Sequence, residues 1–271
     1  MDSSSRHHPK RSLGQNFLVD GNLQRKIVQA VDPGSGDQIL EIGPGHGALT
    51  RHLVGRVDQL ILVELDRELA AALSRELEGE PGVRVIQGDI LKIPLEEVST
   101  RVEELKVVGN IPYNITTPIL FHLLARPRPR EILVMVQKEV AHRILADPGT
   151  PEFGALSVGV RSVAEVERVL RVPASAFRPV PSVDSTVLRI RPLRPEPLTL
   201  QEETALRTLT RAAFQWRRKQ FQTILRGHPD LGCSREKVSR LEEVTGLELR
   251  LRPETFSPGE FIRLSRALTS F

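Results

Sequence analysis

Apolar positions along the chain change period in a regular order. From Asn22 onward, Leu23, Ile27, Val28 and Val31 recur at helical spacing until Asp32-Pro33-Gly34 stops them. Short apolar runs then alternate with helical stretches. Residues 39–42, 60–64, 83–87, a run headed by 107–108, and 132–136 read as strands. Residues 49–53, 68–77, 118–124 and a stretch through 141–144 read as helices. Strands this short and apolar throughout, separated by helices, predict a parallel sheet covered on both faces.

After Gly154 the texture changes. Residues 163–172 and 186–191 alternate apolar with polar positions, which predicts a terminal antiparallel pair and a seven-stranded mixed sheet in all. Between them, Phe177-Arg-Pro-Val-Pro-Ser-Val183 is too rich in proline for regular structure. Pro192, Pro195 and Pro197 mark a linker. Beyond Thr199 the spacing is helical, with turn signals at Gly227-His228-Pro229, Gly246 and Ser257-Pro258-Gly259. The expected organisation is a flexible tail over 1–12, an α/β Rossmann-like domain over 13–194 and a small all-helical C-terminal domain over 196–271.

Composition narrows the function classes. The 271 residues suffice for one large domain or two modest ones. The longest apolar runs, 60–63 and 132–136, are far short of a membrane span, and the N-terminus lacks the apolar segment of a secretory signal. Cys233 is the only cysteine, which excludes an internal disulfide and a multi-cysteine metal site and reads as a small buried apolar group. None of the seven histidines has metal-ligand spacing, so no metal is expected, and the default location is the cytoplasm. Residues 161–271 hold 20 Lys+Arg against 13 Asp+Glu, a net +7, which leaves −3 for the rest of a +4 chain. A basic C-terminal part on a mildly acidic remainder fits a nucleic-acid partner, although a merely soluble arginine-rich surface has the same balance.

Candidate chemistry sits at the strand ends. Glu41-Ile-Gly43-Pro-Gly45-His-Gly47 follows the first strand and opens a helix, where open α/β sheets bind ligands. Its Gly-x-Gly-x-Gly spacing is neither the dinucleotide fingerprint nor a Walker loop. Glu64 ends the second strand, where a carboxylate accepts both ribose hydroxyl protons. Asp89 ends the third, within reach of an adenine amino group. Together they describe an adenosine-shaped pocket. Asn110-Ile-Pro-Tyr113 closes the fourth strand and resembles the Asn/Asp-Pro-Pro-Tyr signature of enzymes that methylate exocyclic amino nitrogens. That nitrogen is a poor nucleophile because its lone pair is delocalised into the ring. Acceptors on both amino hydrogens, here the Asn110 side-chain oxygen and the Pro112 carbonyl, favour the pyramidal form, and Tyr113 offers a stacking face to a flipped base.

With Gly14-Gln-Asn-Phe-Leu18, Glu64-Leu-Asp66, Gly88-Asp89 and Phe177-x-Pro179-x-Pro181-x-Val183 added in order, the chain resembles the ribosomal RNA adenine dimethyltransferase family, and within it the bacterial small-subunit branch. The resemblance implies a class I S-adenosylmethionine-dependent methyltransferase with S-adenosylhomocysteine as product. It implies Asn16 and Leu18 over the methionine moiety, Gly43, Gly45 and Ile90 in the cofactor site, Glu64 on the ribose and Asp89 on the adenine. Asn110 would then touch both cofactor and target amine, with Phe177 stacking on the base opposite Tyr113. The implied substrate is a pair of adjacent adenosines in the 3′-terminal hairpin loop of 16S rRNA in an immature 30S subunit. A monomeric enzyme with a second role in late subunit assembly completes the expectation. Arg217, Arg218 and Lys219 read equally as phosphate contacts or as a solvated helix face. The family has an Arg-Asn pair further along this helix where the chain has Gln222 and Thr223. The rivals are a large-subunit RNA adenine methyltransferase, which shares the motifs, a non-catalytic assembly factor, and a dinucleotide-dependent dehydrogenase.

Overall fold

The structure, a computed structural model, describes residues 14–270; the expectation for residues 1–12 lies outside them. Two compact units emerge: residues up to Ala141 with Glu167–Pro192, and His142–Val166 with Leu193 onward.

The first unit begins with β1 (Phe17–Leu18) and α1 (Gly21–Val31), then β2 (Gln38–Ile42), α2 (Thr50–Leu53), β3 (Gln59–Glu64), α3 (Arg67–Glu76) and β4 (Val83–Gln87). Next come α4 (Leu95–Val98), β5 (Lys106–Asn110), α5 (Thr116–Leu123) and β6 (Glu131–Gln137). Along the chain α6 (Lys138–Leu145), α7 (Ala155–Arg161), which belongs to the second unit, and β7 (Ala164–Val172) then lead into β8 (Phe177–Arg178) and β9 (Ser185–Pro192). The main sheet has seven strands in the order β4-β3-β2-β5-β6-β9-β7. β4 to β6 in that order are parallel, and β9 runs antiparallel to β6. This is the mixed Rossmann-like sheet expected from the apolar pattern.

All five residues of β2 are buried, because the strand is central and covered on both faces. The chain runs outward from β2 to β4, then returns to start β5 on the other side of β2. The C-terminal ends of β2 and β5 therefore flank the switch point of the sheet, where ligands bind in folds of this kind. Gly109, one residue before the end of β5, lets the two strands approach: a Cβ there would lie 2.7 Å from the Ile42 carbonyl oxygen.

Three local readings change. β9 is buried at six of its eight positions, with Arg189 half-buried and Arg191 exposed, rather than alternating, because it lies inside the sheet between β6 and β7. The residues before 163 form α7, which buries Leu156, Ser157, Val158 and Val160. α7 packs against α8 (Leu200–Gln215) and α11 (Pro258–Thr269), which places residues 142–166 with the helical unit. The third is the two-stranded antiparallel pair of β1 with β8, with Phe17 opposite Arg178 and Leu18 opposite Phe177.

The helical unit also contains α9 (Phe221–Gly227) and α10 (Arg235–Thr245). Capping boxes start both long helices: Thr199 with Glu202 at α8, Ser257 with Glu260 at α11. Its core is aromatic, with Phe214 stacked on Phe261 at 5.7 Å and Phe221 edge-on to Phe256 at 5.2 Å. Cys233 is buried there. Among the described residues, no helix is long and apolar enough to cross a membrane, and no group of three His, Cys, Asp or Glu is placed to hold a metal ion.

Candidate active site

An open cleft of about 740 Å³, solvent mouth included, lies at the C-terminal ends of β2, β3, β4 and β5. Asn16, Gly43, Gly45, Glu64, Asp89, Ile90, Asn110, Pro112 and Tyr113 all line it, so most of the residues singled out in the sequence converge there.

The floor is the turn after β2. Gly43 and Gly45 have φ of +63° and +59°, a left-handed region open to glycine. A Cβ on Gly45 would also meet the Phe17 ring at 2.9 Å. Glu64, at the end of β3, is only 5% exposed. One of its oxygens accepts the Gly45 N–H at 3.0 Å and the other the Asp66 N–H at 2.8 Å. A carboxylate retains further acceptor sites on both oxygens, the pattern needed to take two vicinal hydroxyls. Burial pushes the Glu64 carboxyl above its ordinary range, and its two backbone donors offset part of that shift. Asp89 accepts the Leu91 N–H at 3.1 Å through one oxygen, which orients its half-buried carboxyl beside Ile90.

Beneath the loop, the fully buried Glu41 accepts a hydrogen bond from the Thr50 hydroxyl at 2.7 Å. Burial raises its pKa to about 7; the Thr50 bond opposes that shift and the nearby Glu64 charge adds to it. In the unfolded chain this carboxyl titrates near its ordinary 4.5, so the folded state holds the extra proton between the two values. Stability is therefore expected to fall as pH rises through that window, by about 3 kcal/mol from this group, and to level off above it. Glu41→Gln should flatten the slope of melting temperature against pH over that range, with a remnant from Glu64. An unchanged slope would show that Glu41 ionises freely.

At the end of β5, the Asn110 side-chain nitrogen donates to the Asn16 carbonyl at 2.7 Å. That bond fixes which way the amide faces and leaves Oδ1 as the acceptor available to a ligand. The Pro112 carbonyl accepts the Ile115 N–H at 3.2 Å, and the Thr116 hydroxyl, with one proton to give, lies 3.2 Å from it and 3.4 Å from the Tyr113 carbonyl, so local donors already engage Pro112. The adjacent Ile111 also lines the cleft.

The other expected site residues lie outside the cleft wall. Leu18 does not line the cleft and Phe177 is fully buried; both belong to the apolar core. They face each other across the β1–β8 pair, and side chains alternate along a strand, so Phe17 faces the cleft where Leu18 points to the core. The run Arg217-Arg218-Lys219 lies in the turn after α8 rather than on a helix. Arg217 pairs with Glu254 at 2.5 Å, while Arg218 and Lys219 are exposed.

Three residues to which the sequence assigns no role, Gln15 and Phe17 of the Gly14–Leu18 motif and Ser185, take part in the site. Gln15 donates to Asp66 at 3.1 Å and Phe17 packs on His46 with ring centroids 4.3 Å apart, so the segment before α1 straps one side of the cleft. The Tyr113 hydroxyl lies 2.7 Å from the Ser185 hydroxyl. Only the position of Gln15 and Phe17 beside Asn16 pointed to them.

A mixed seven-stranded Rossmann-like sheet with a glycine loop, two strand-end carboxylates and an Asn-x-Pro-Tyr turn at its switch point is the architecture of a class I methyltransferase that acts on amino nitrogen. The model of the family described as ribosomal RNA adenine dimethylase matches residues 6–249, and the chain belongs to that family. It is an S-adenosylmethionine-dependent rRNA methyltransferase. It is 44% identical over 269 residues to the ribosomal RNA small subunit methyltransferase A of Moorella thermoacetica, covering 96% of this chain and 92% of that one. The protein of the same name from Pseudomonas putida is 37% identical over 269 residues, covering 99% and 98%. Among solved structures, a dimethyladenosine transferase from Plasmodium falciparum superposes with a TM-score of 0.76 at 25% identity, covering 92% of this chain and 95% of that one. The 23S rRNA methyltransferase ErmE gives 0.71 at 28% identity, covering 94% and 100%.

Proposed function

We propose that the enzyme dimethylates the exocyclic amino groups of two adjacent adenosines in the 3′-terminal hairpin loop of 16S rRNA, acting as a cytoplasmic monomer on an immature 30S subunit and serving late subunit assembly as well. The observation that carries the chemistry is the Asn110 amide, locked by Asn16 with its oxygen left for a donor in the cleft. The substrate reading draws on relatives named small subunit methyltransferase A at 37–44% identity.

The residues fit the cofactor: Glu64 has acceptor capacity for the ribose hydroxyls, Asp89 for the adenine amine, and Asn16 with the glycine loop would hold the methionine end. S-adenosylmethionine supplies an electrophilic sulfonium methyl. Asn110 Oδ1 accepts one hydrogen of the target amine. The second acceptor is the Ile111 carbonyl rather than that of Pro112, which is engaged by donors of its own turn. With both hydrogens bound, the nitrogen lone pair is directed out of the base plane, and alignment does the rest. The nitrogen that has taken the methyl from sulfur, with S-adenosylhomocysteine as the leaving group, would be cationic and acidic and would lose one proton to water; one N–H then remains, and one acceptor suffices for the second methylation. Tyr113 provides the stacking face, and Arg218 and Lys219 hold RNA phosphates, whose contribution weakens with salt.

The test is a tritiated-methyl assay on undermethylated 30S subunits with mapping of the labelled bases. Label on the two adjacent adenosines is expected. The likeness to ErmE supports a second reading, methylation of a large-subunit adenine, and label confined to 23S rRNA would replace the first reading with it.

A further inference from the structure

Tyr113 is the only tyrosine in the chain, and among the described residues the one hydrogen bond of its side chain is the 2.7 Å contact of its hydroxyl with Ser185 Oγ. The two ends of that contact are built differently. Tyr113 opens a single short 3-10 turn, Tyr113–Ile115, with no side-chain cap, and its ring is half-buried in the cleft wall. Ser185 is 1% exposed and starts β9, directly after the proline-rich loop. It is in register with Gln137 of β6. Its neighbour Asp184 accepts the Lys138 N–H at 3.0 Å through its carbonyl and the Ala174 N–H at 2.9 Å through its side chain. The serine hydroxyl is thus carried on a fixed point of the sheet, and the ring end that reaches it is held from there.

A stacking platform gains most when it is oriented before the base arrives, because a ring ordered only on binding subtracts its lost freedom from the affinity. We propose that Ser185 is a positioning residue for the target adenine: its hydroxyl fixes the Tyr113 ring in the cleft beside Asn110 before the base enters. The inference rests on the reading of Tyr113 as the stacking face.

A kinetic double-mutant cycle on undermethylated 30S subunits tests it. Tyr113→Phe removes the bond from the ring side and Ser185→Ala from the strand side. Each is expected to raise KM for the particle about five- to tenfold, the worth of one neutral hydrogen bond, with cofactor affinity unchanged. The double variant should be no worse than either single one, because both delete the same bond. Tyr113→Phe leaves β9 untouched, so it reads the bond even where Ser185→Ala unfolds the strand. A second readout uses the lone tyrosine. Burial pushes the Tyr113 phenol up, the Ser185 hydrogen bond pulls it down, and the Asp184 charge pushes it up. Ser185→Ala should therefore move the tyrosinate absorbance transition to higher pH. Additive losses in the cycle, single variants with wild-type KM, or an unmoved tyrosinate transition each overturn the proposal and leave the stacking reading standing. Tyr113→Ala separates the two: normal methylation by that variant removes the stacking reading itself, and the proposal with it.

Discussion

Asn110→Ala is expected to reduce methyl transfer by about 10²–10³-fold, the scale on which a single placed polar group acts on charge redistribution in a transition state. Cofactor affinity should change only a few-fold, because the acceptors for the adenosine end, Glu64 and Asp89, are on other strands. The variant also loses the bond to the Asn16 carbonyl, which loosens the strap but leaves its ties through Gln15 and β1. Asn110→Asp is the sharper companion. It keeps an oxygen for the amine but sets a carboxylate oxygen against the Asn16 carbonyl, where the wild type has an N–H donor 2.7 Å away. Turnover by Asn110→Asp should therefore fall as well, with a weaker hold on the cofactor than in the alanine variant. Initial rates with tritiated donor, paired with calorimetry of cofactor binding, separate the two effects. Wild-type-like turnover by Asn110→Ala would sink the assignment.

Glu64→Ala carries the largest expected loss in cofactor binding. It deletes the acceptors for the ribose hydroxyls and strands two donors, the N–H groups of Gly45 and Asp66, in a nearly closed environment. Two lost hydrogen bonds from the ribose to a charged acceptor, about 1.5–3 kcal/mol each, should raise the dissociation constant by about 10²-fold or more, and the two unmet donors, at about 1–3 kcal/mol each, should lower the melting temperature even without ligand. Glu64→Gln is no rescue. Its amide nitrogen must face one of the two backbone donors, so one repulsive contact replaces one bond. Isothermal calorimetry with S-adenosylhomocysteine measures the binding arm. An unchanged affinity in Glu64→Ala would move the ribose elsewhere in the cleft.

The parts of the site legible in the sequence are those set by chemistry within a few residues. Glycines that take a left-handed turn after an apolar strand, a carboxylate closing the next strand and Asn110 before a proline all announce themselves locally. The alternation of strands and helices predicts a parallel sheet, while the strand order that puts the switch point beside Gly43 and Asn110 is visible only in the fold. What stayed hidden depends on partners distant along the chain. The β1–β8 pair has two residues on each side, too few to show a period, so nothing distinguished the cleft-facing Phe17 from the core-facing Leu18. Phe177, which the resemblance implies as a second stacking ring, lies in a proline-rich stretch with no period to show its facing, and its register with Leu18 carries it into the core. α7 leaves no period in the sequence because a seven-residue helix buried on several sides lacks an amphipathic stripe. The two donors on Pro112 come from its own turn and were in principle foreseeable, since a 3-10 turn returns its N–H to the carbonyl three residues back.

The pairing of Phe17 and Leu18 with Phe177 and Arg178 spans about 160 residues of sequence. Synthesis proceeds from the N-terminus at about 5–20 residues per second, so the strap over the cleft has no partner to close on until some ten to thirty seconds after it leaves the ribosome. Contacts of such long reach also form slowly in refolding, since loop closure precedes any gain from them. A nascent chain that already has its glycine loop, Glu64 and Asn110 consequently still lacks the far side of the strap, and the site is completed among the last parts of this unit to be made.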